Sequence, residues 1–253
     1  MKKLLFLLLA FVLFSCSKKV EVKGRITGAS PLERIEIVEA SGVGTLPLLN
    51  MGLNPKGEFS GSFDAPKDGL YAITYAGNMN MVYLTKGQTL NISGNAQDFP
   101  QQMVITGDAK ANNDFIAESS KNFANYTGKL NVYGLVAKNE TQFISEFNKI
   151  RKHLLDSVEE TAKKFKADKS VVEFKKNETN ARLVGLMDMY RQFKGQMTGK
   201  PYAASKAFND LRAEVNANND QMIAEIPAYR NYAFDQVQAE FQQFAQTQNP
   251  SQE

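Results

Sequence analysis

The chain is poor in the residues that carry covalent and metal chemistry. Cys16 is its single cysteine, His153 its single histidine, and tryptophan is absent from its 253 residues. One thiol forms no disulfide within the chain and supplies no Cys-x-x-Cys pair. One imidazole without a second thiol or histidine makes neither a zinc set nor a nucleophile and base pair. His153, in KIRKHLLD, therefore reads as a structural or surface residue, and no metal or cofactor is expected. An excess of one charge is missing too. The formal charge of +3 counts Lys2 and Lys3; without them 28 basic residues face 27 acidic ones, a net of +1. That gives no electrostatic case for nucleic acid or for an acidic substrate. Long apolar runs are missing with one exception, Leu4 to Phe14. It is too short to cross a bilayer, which takes roughly 20 apolar residues.

What is present begins with that run. Lys2 and Lys3 precede it as a positive n-region, and its length is that of a signal-peptide h-region. It ends in Leu13-Phe14-Ser15-Cys16. This string resembles a bacterial lipobox, with leucine three before the cysteine and a small residue just before it. Phe14 departs from the small residue usual between them. The expectation is cleavage after residue 15 and lipid attachment at Cys16. Burial is worth about 0.8 kcal/mol per methylene, so one acyl chain binds marginally and two or three anchor stably. Ser17, Lys18 and Lys19 follow without an acidic run that would resemble a surface-export signal. The expected location is the cell envelope, on the outer membrane facing the periplasm.

The pattern changes near residue 107. Before it the period is two. Val20, Val22 and Ile26 alternate with charged residues, as do Ile35 and Ile37; Phe59 and Phe63, and Tyr71, Ile73 and Tyr75, share faces. Asn54-Pro55-Lys56-Gly57, Lys67-Asp68-Gly69 and Lys86-Gly87 mark turns. Short strands at about ten-residue spacing predict an antiparallel β-sandwich over 16–107. After it the period is helical. Phe143, Phe147, Ile150, Leu154, Val158, Ala162 and Phe165 form one stripe. Leu183, Met187, Tyr190 and Phe193 form a second, Phe208, Leu211 and Val215 a third. Tyr229, Ala233, Val237, Phe241 and Phe244 form the last. Asn139 with Gln142 and Ser170 with Glu173 read as capping pairs. Gly199-Lys200-Pro201 and Pro227 mark breaks. The fold class is α+β, with a helical bundle over 108–247 and a frayed tail over 248–253.

Candidate chemistry is sparse. Glu159, Glu160 and Asp188 offer carboxylates, but acid/base pairs must face each other across a cleft. Carboxylates among lysines, as in EETAKKFK, read as a solvated helical face with i,i+4 pairs. Ser41-Gly42-Val43-Gly44-Thr45 lacks the third glycine of a dinucleotide fingerprint and the lysine of a P-loop, so it reads as a loop. Asn50 to Asn54 and Met79-Asn80-Met81 are candidate binding loops. The Tyr and Phe residues of the last helix are expected to pack the bundle, with a ligand or partner surface as the alternative.

The strand half carries KGRITG (Lys23 to Gly28), GEFSGSF (Gly57 to Phe63), GLYAITY (Gly69 to Tyr75), VYLTKGQTLNISG (Val82 to Gly94) and ITGDAKAN (Ile105 to Asn112). In this order, behind a lipobox, the set resembles the N-terminal domain of unknown function in Bacteroidetes lipoproteins. In those relatives it precedes a thioredoxin-like disulfide oxidoreductase domain of the TlpA, ResA and AhpC/TSA type. The match covers residues 20 to 115; beyond them only the helical pattern agrees. The resemblance implies a membrane-anchored accessory portion of a thioredoxin-like system, with that domain or another envelope protein as partner. The relatives' thioredoxin domain would begin close to Glu253. No Trp-Cys-x-x-Cys stands in this chain, so the family's redox activity is carried onto no residue here. A stand-alone lipoprotein that binds a ligand or partner is the alternative.

Overall fold

The computed structural model describes residues 19–40 and 46–248. The chain is mixed α+β, with every described strand ahead of every described helix. The strands are β1 (Lys19–Thr27), β2 (Arg34–Glu39), β3 (Leu49–Gly52), β4 (Glu58–Asp64), β5 (Gly69–Tyr75), β6 (Asn78–Leu84), β7 (Thr89–Asn95) and β8 (Val104–Thr106). The helices are α1 (Lys110–Thr127), α2 (Val132–Ala137), α3 (Glu140–Phe165), α4 (Lys169–Thr198), α5 (Lys206–Val215), α6 (Asn219–Glu225) and α7 (Pro227–Gln248). Two compact units divide between Lys110 and Ala111.

The strands form two four-stranded sheets, ordered β4-β1-β7-β8 and β3-β2-β5-β6. The period-two pattern sets their buried faces. In β1, Val20, Val22 and Ile26 are buried while Lys19, Glu21, Lys23 and Arg25 are exposed. Apolar residues of both sheets, among them Val22, Ile37, Phe63, Tyr71 and Leu90, belong to one core cluster. The expectation of purely antiparallel strands needs one correction. β1 runs parallel to β7, with Val22 opposite Leu90 and Gly24 opposite Ile92. A parallel neighbour requires a long crossover, and here the strands of the other sheet lie within it. Gly24 sits where β1 meets this neighbour. A Cβ there would overlap the Ile92 carbonyl and the Phe59 ring. Gly57 closes the Asn54 turn at φ +76, which L side chains disfavour. The Asn54 carboxamide oxygen accepts from the amides of Lys56 and Glu58, both at 2.9 Å.

The candidate loops are corrected as well. Asn50 to Gly52 lies within β3 and Met79 to Met81 within β6. The stretch 41–45 lies outside the described residues.

In the second unit α4 is the central helix, in contact with α2, α3, α5, α6 and α7. The predicted stripes supply the core: Phe143, Phe147, Ile150 and Leu154 from α3, Leu183, Met187 and Tyr190 from α4, and Phe208, Leu211 and Val215 from α5. Phe143 stacks on Tyr190 with ring centroids 4.1 Å apart. Asn139 caps α3 by accepting from the Gln142 amide at 3.0 Å. The Ser170 cap does not form, because α4 starts two residues earlier than that cap implies, with Asp168 at its N-cap. Asp168 makes no side-chain cap bond; its carboxylate accepts from the Asn112 side chain at 2.8 Å, and its amide donates back to Asn112 at 3.0 Å. The tertiary pair to α1 takes the place of the local cap. Gly199 ends α4 in the left-handed region and Pro227 opens α7, the helical uses of those residues. α7 runs to Gln248, so residue 248 of the expected frayed tail is helical and 249–253 lie outside the described residues.

The last stripe is the largest departure. Tyr229 is buried, but Val237, Phe241 and Phe244 are exposed, and so is Phe234 beside them. Ala233 is half-buried. The expectation that this stripe packs the helical core fails beyond its first turns.

Candidate functional site

Cys16, the expected lipid attachment residue, lies outside the described residues, as does the preceding signal segment. His153 is exposed and stacks on the Tyr126 ring at 4.1 Å. Among the described residues no group of three or more His, Cys, Asp or Glu side chains is placed to hold a metal ion. Glu160 is exposed, and Glu159 pairs with Lys176 of α4 at 2.5 Å.

Asp188 does not belong to a solvated face. It is buried in α4, at the hub of a polar cluster drawn from three helices. Arg212 of α5 donates to both its oxygens, Nε at 3.2 Å and a terminal nitrogen at 3.3 Å. The Tyr232 hydroxyl of α7 donates to the same carboxylate. Arg191, one turn along α4, stands 3.7 Å away. This fork satisfies the geometry by which arginine recognises a carboxylate. Burial disfavours the Arg212 charge, but the Asp188 carboxylate more than offsets this and holds the guanidinium above its ordinary value. Burial and the Asp188 charge both push the Tyr232 phenol up. It stays a neutral donor. Tyr229, in the preceding turn of α7, donates to the Asn216 side chain.

A cavity of about 580 Å³ opens beside this cluster. Asp188, Arg191, Gln192, Gln196, Lys200 and Tyr202 contribute to its wall. Arg212 and Tyr232 fill three of the acceptor sites of Asp188 and hold it in place as a structural anion. Tyr202 donates to Glu140 at 2.8 Å. The remaining wall offers cationic and amide donors. Such a lining can hold an anionic or polyhydroxylated molecule; it does not supply a nucleophile with its base.

A second buried charge also lies on α4. Lys175 is buried with its ammonium 2.7 Å from the Ser120 hydroxyl and paired to Glu178. Glu178 also accepts from Arg182 at 2.9 Å. Burial alone would raise the Glu178 carboxyl, but Lys175 and Arg182 outweigh it and hold it below the usual range.

The Asp188 cluster escaped the sequence reading. Its one local signal is a carboxylate inside the apolar run Leu183-Val184-Gly185-Leu186-Met187-Asp188-Met189-Tyr190. Its partners lie 24 and 44 residues downstream, beyond any helical spacing. No protein-family model, curated protein or solved structure matches this chain.

Proposed function

We propose that this chain is a lipid-anchored protein of the cell envelope, tethered through Cys16 to the outer membrane and facing the periplasm. The observation that carries the reading is the string Leu13-Phe14-Ser15-Cys16 behind Lys2, Lys3 and a short apolar run. The two sheets stack as a β-sandwich and the helices form a bundle around α4. Together they are the non-catalytic accessory portion of a thioredoxin-like thiol-disulfide oxidoreductase system, the role that the resemblance of the strand half implies. A folded spacer sets reach from the bilayer better than a flexible linker.

A second reading has its own observation. The cavity beside Asp188, with Arg191 and Lys200 on its wall, favours a stand-alone lipoprotein that binds a polar ligand in the envelope.

Membrane fractionation tests the tether. The chain as expressed should sediment with the outer membrane, and Cys16→Ala should release it or leave it unprocessed. Unchanged fractionation of that variant would refute the anchor. An insulin-reduction assay tests the accessory role, since this chain alone should not exceed buffer background.

A further inference from the structure

The cavity beside Asp188 owes one wall to a loop that folds back over the end of α4. Gly199 stops the helix at φ +66, a backbone that glycine adopts without strain. The chain then returns, and the Lys200 amide donates to the Gly195 carbonyl at 3.2 Å. Gly195 permits this approach, since a Cβ there would already stand 3.2 Å from the Lys200 carbonyl oxygen. The Thr198 hydroxyl lies 3.2 Å from that same oxygen and 3.1 Å from the Lys194 carbonyl. Farther along, the Tyr202 hydroxyl and the Ser205 amide both donate to Glu140 of α3, at 2.8 and 3.2 Å. The loop is thus pinned to two helices, and it holds Lys200 on the same wall as Arg191. The Gly195 and Gln196 carbonyls belong to the negative end of α4, and they are spent on the Lys200 and Gly199 amides.

This wall leaves two cations and three amides free to meet a ligand. Lys200 is exposed, and its ammonium has no hydrogen-bond or ion-pair partner among the described residues. The Arg191 side chain is 47 % exposed and stands 3.7 Å from Asp188, beyond hydrogen-bond reach. The Asp188 charge is already matched by Arg212, so the wall keeps an excess of positive charge. Gln192, Gln196 and Gln236 also line the cavity, and their carboxamides make no hydrogen bond among the described residues. From this we infer that the cavity binds a sugar acid, a molecule that joins a carboxylate to a ring of hydroxyl groups. The inference rests on the second reading above, that this cavity takes a polar ligand. Charge selects the carboxylate. A guanidinium matches its two oxygens with two parallel bonds, and a lysine adds a point charge. The glutamines select the hydroxyls, because a carboxamide both donates and accepts, and so does a hydroxyl. A phosphate dianion offers only acceptors and would leave the amide oxygens without a donor. The volume of about 580 Å³ lies in the range of about 300–1,000 Å³ usual for small-molecule sites.

Isothermal titration of the full chain in detergent, with D-galacturonate as the probe, tests the inference. Galacturonate should bind, and D-galactose, which lacks the carboxylate, should bind at least about tenfold more weakly. Arg191→Gln and Lys200→Gln should each weaken galacturonate by about tenfold or more, the worth of one charge-assisted hydrogen bond. Neither should move the thermal midpoint, because both side chains reach solvent. Lys206→Gln, an exposed lysine that pairs with Asp210 outside the cavity, should bind as the parent does. Digalacturonate separates the sources. Tighter binding than the monomer assigns the end of an acidic polysaccharide, and no tighter binding assigns a free sugar acid. Inorganic phosphate separates the failures. Heat from phosphate or galactose with none from galacturonate overturns this inference and leaves the polar-ligand reading standing. No heat from any of the four probes overturns this inference and removes the support for that reading as well. Equal galacturonate binding by the parent and by the Arg191→Gln, Lys200→Gln double variant also overturns it, since the ligand then sits elsewhere.

Discussion

Removing the Asp188 carboxylate should expose how much the helical unit depends on its buried polar hub. In Asp188→Ala, Arg212 loses two hydrogen bonds and its counter-charge, and Tyr232 loses its acceptor. Truncating one partner of a buried pair costs about 3–5 kcal/mol. The Arg212 side chain is 28 % exposed, so water recovers part of its charge and the expected loss is about 2–4 kcal/mol. Asp188→Asn keeps an acceptor for Tyr232 and should cost less, about 1–2 kcal/mol, by losing the charge from its hydrogen bonds. Arg212→Met in the Asp188→Ala background should cost less than the sum of the single changes. The coupling should lie in the range of about 1–3 kcal/mol for residues in one network. Urea melts at constant slope are the assay. A loss below about 0.5 kcal/mol for Asp188→Ala, or strict additivity with Arg212→Met, would refute the hub.

Three further outcomes follow from the same contacts. Phe147 is fully buried, so Phe147→Ala should cost about 3–5 kcal/mol in a urea melt. Glu178 has its folded pKa held below the unfolded value, so it stabilises above the unfolded pKa, near 4.3, and loses that contribution as pH falls through the folded one. Urea midpoints measured from pH 7 downward should therefore fall less steeply in Glu178→Gln than in the parent. Gly57→Ala should destabilise the strand unit in thermal melts, because the new Cβ meets the Ile26 carbonyl at a positive φ.

The core was legible wherever burial repeats with a period. Val20, Val22, Ile26 and the Phe143 to Ala162 stripe are buried as their spacing predicts, since one face of a strand or helix must leave water. Pairing between distant strands was not legible. Nothing in KVEVKGRIT distinguishes a parallel neighbour from an antiparallel one, so the β1 and β7 pair came only from the structure. The Ser170 cap failed because the helix begins before it, at Lys169, where Asp168 is held by Asn112 of α1 rather than by a local cap bond. The α7 stripe misled for a related reason. Periodicity reports that a face is apolar, not what covers it, and Phe241 keeps the spacing of a core residue while standing 69 % exposed. Of the site, Asp188 and Tyr190 stand two residues apart, yet one joins the polar hub and the other the aromatic core. A step of two residues turns a helix by about 200°, so the two side chains face different neighbours, and which neighbours those are is set by the distant α5 and α7.

The central claim is the tether at Cys16, and intact mass analysis of the amino-terminal peptide from membrane-extracted protein tests it most directly. The account predicts a chain that begins at Cys16, with the added mass of a diacylglyceryl group on sulfur and an acyl chain on the amine. An unmodified Cys16, or an amino terminus at Met1, would contradict it.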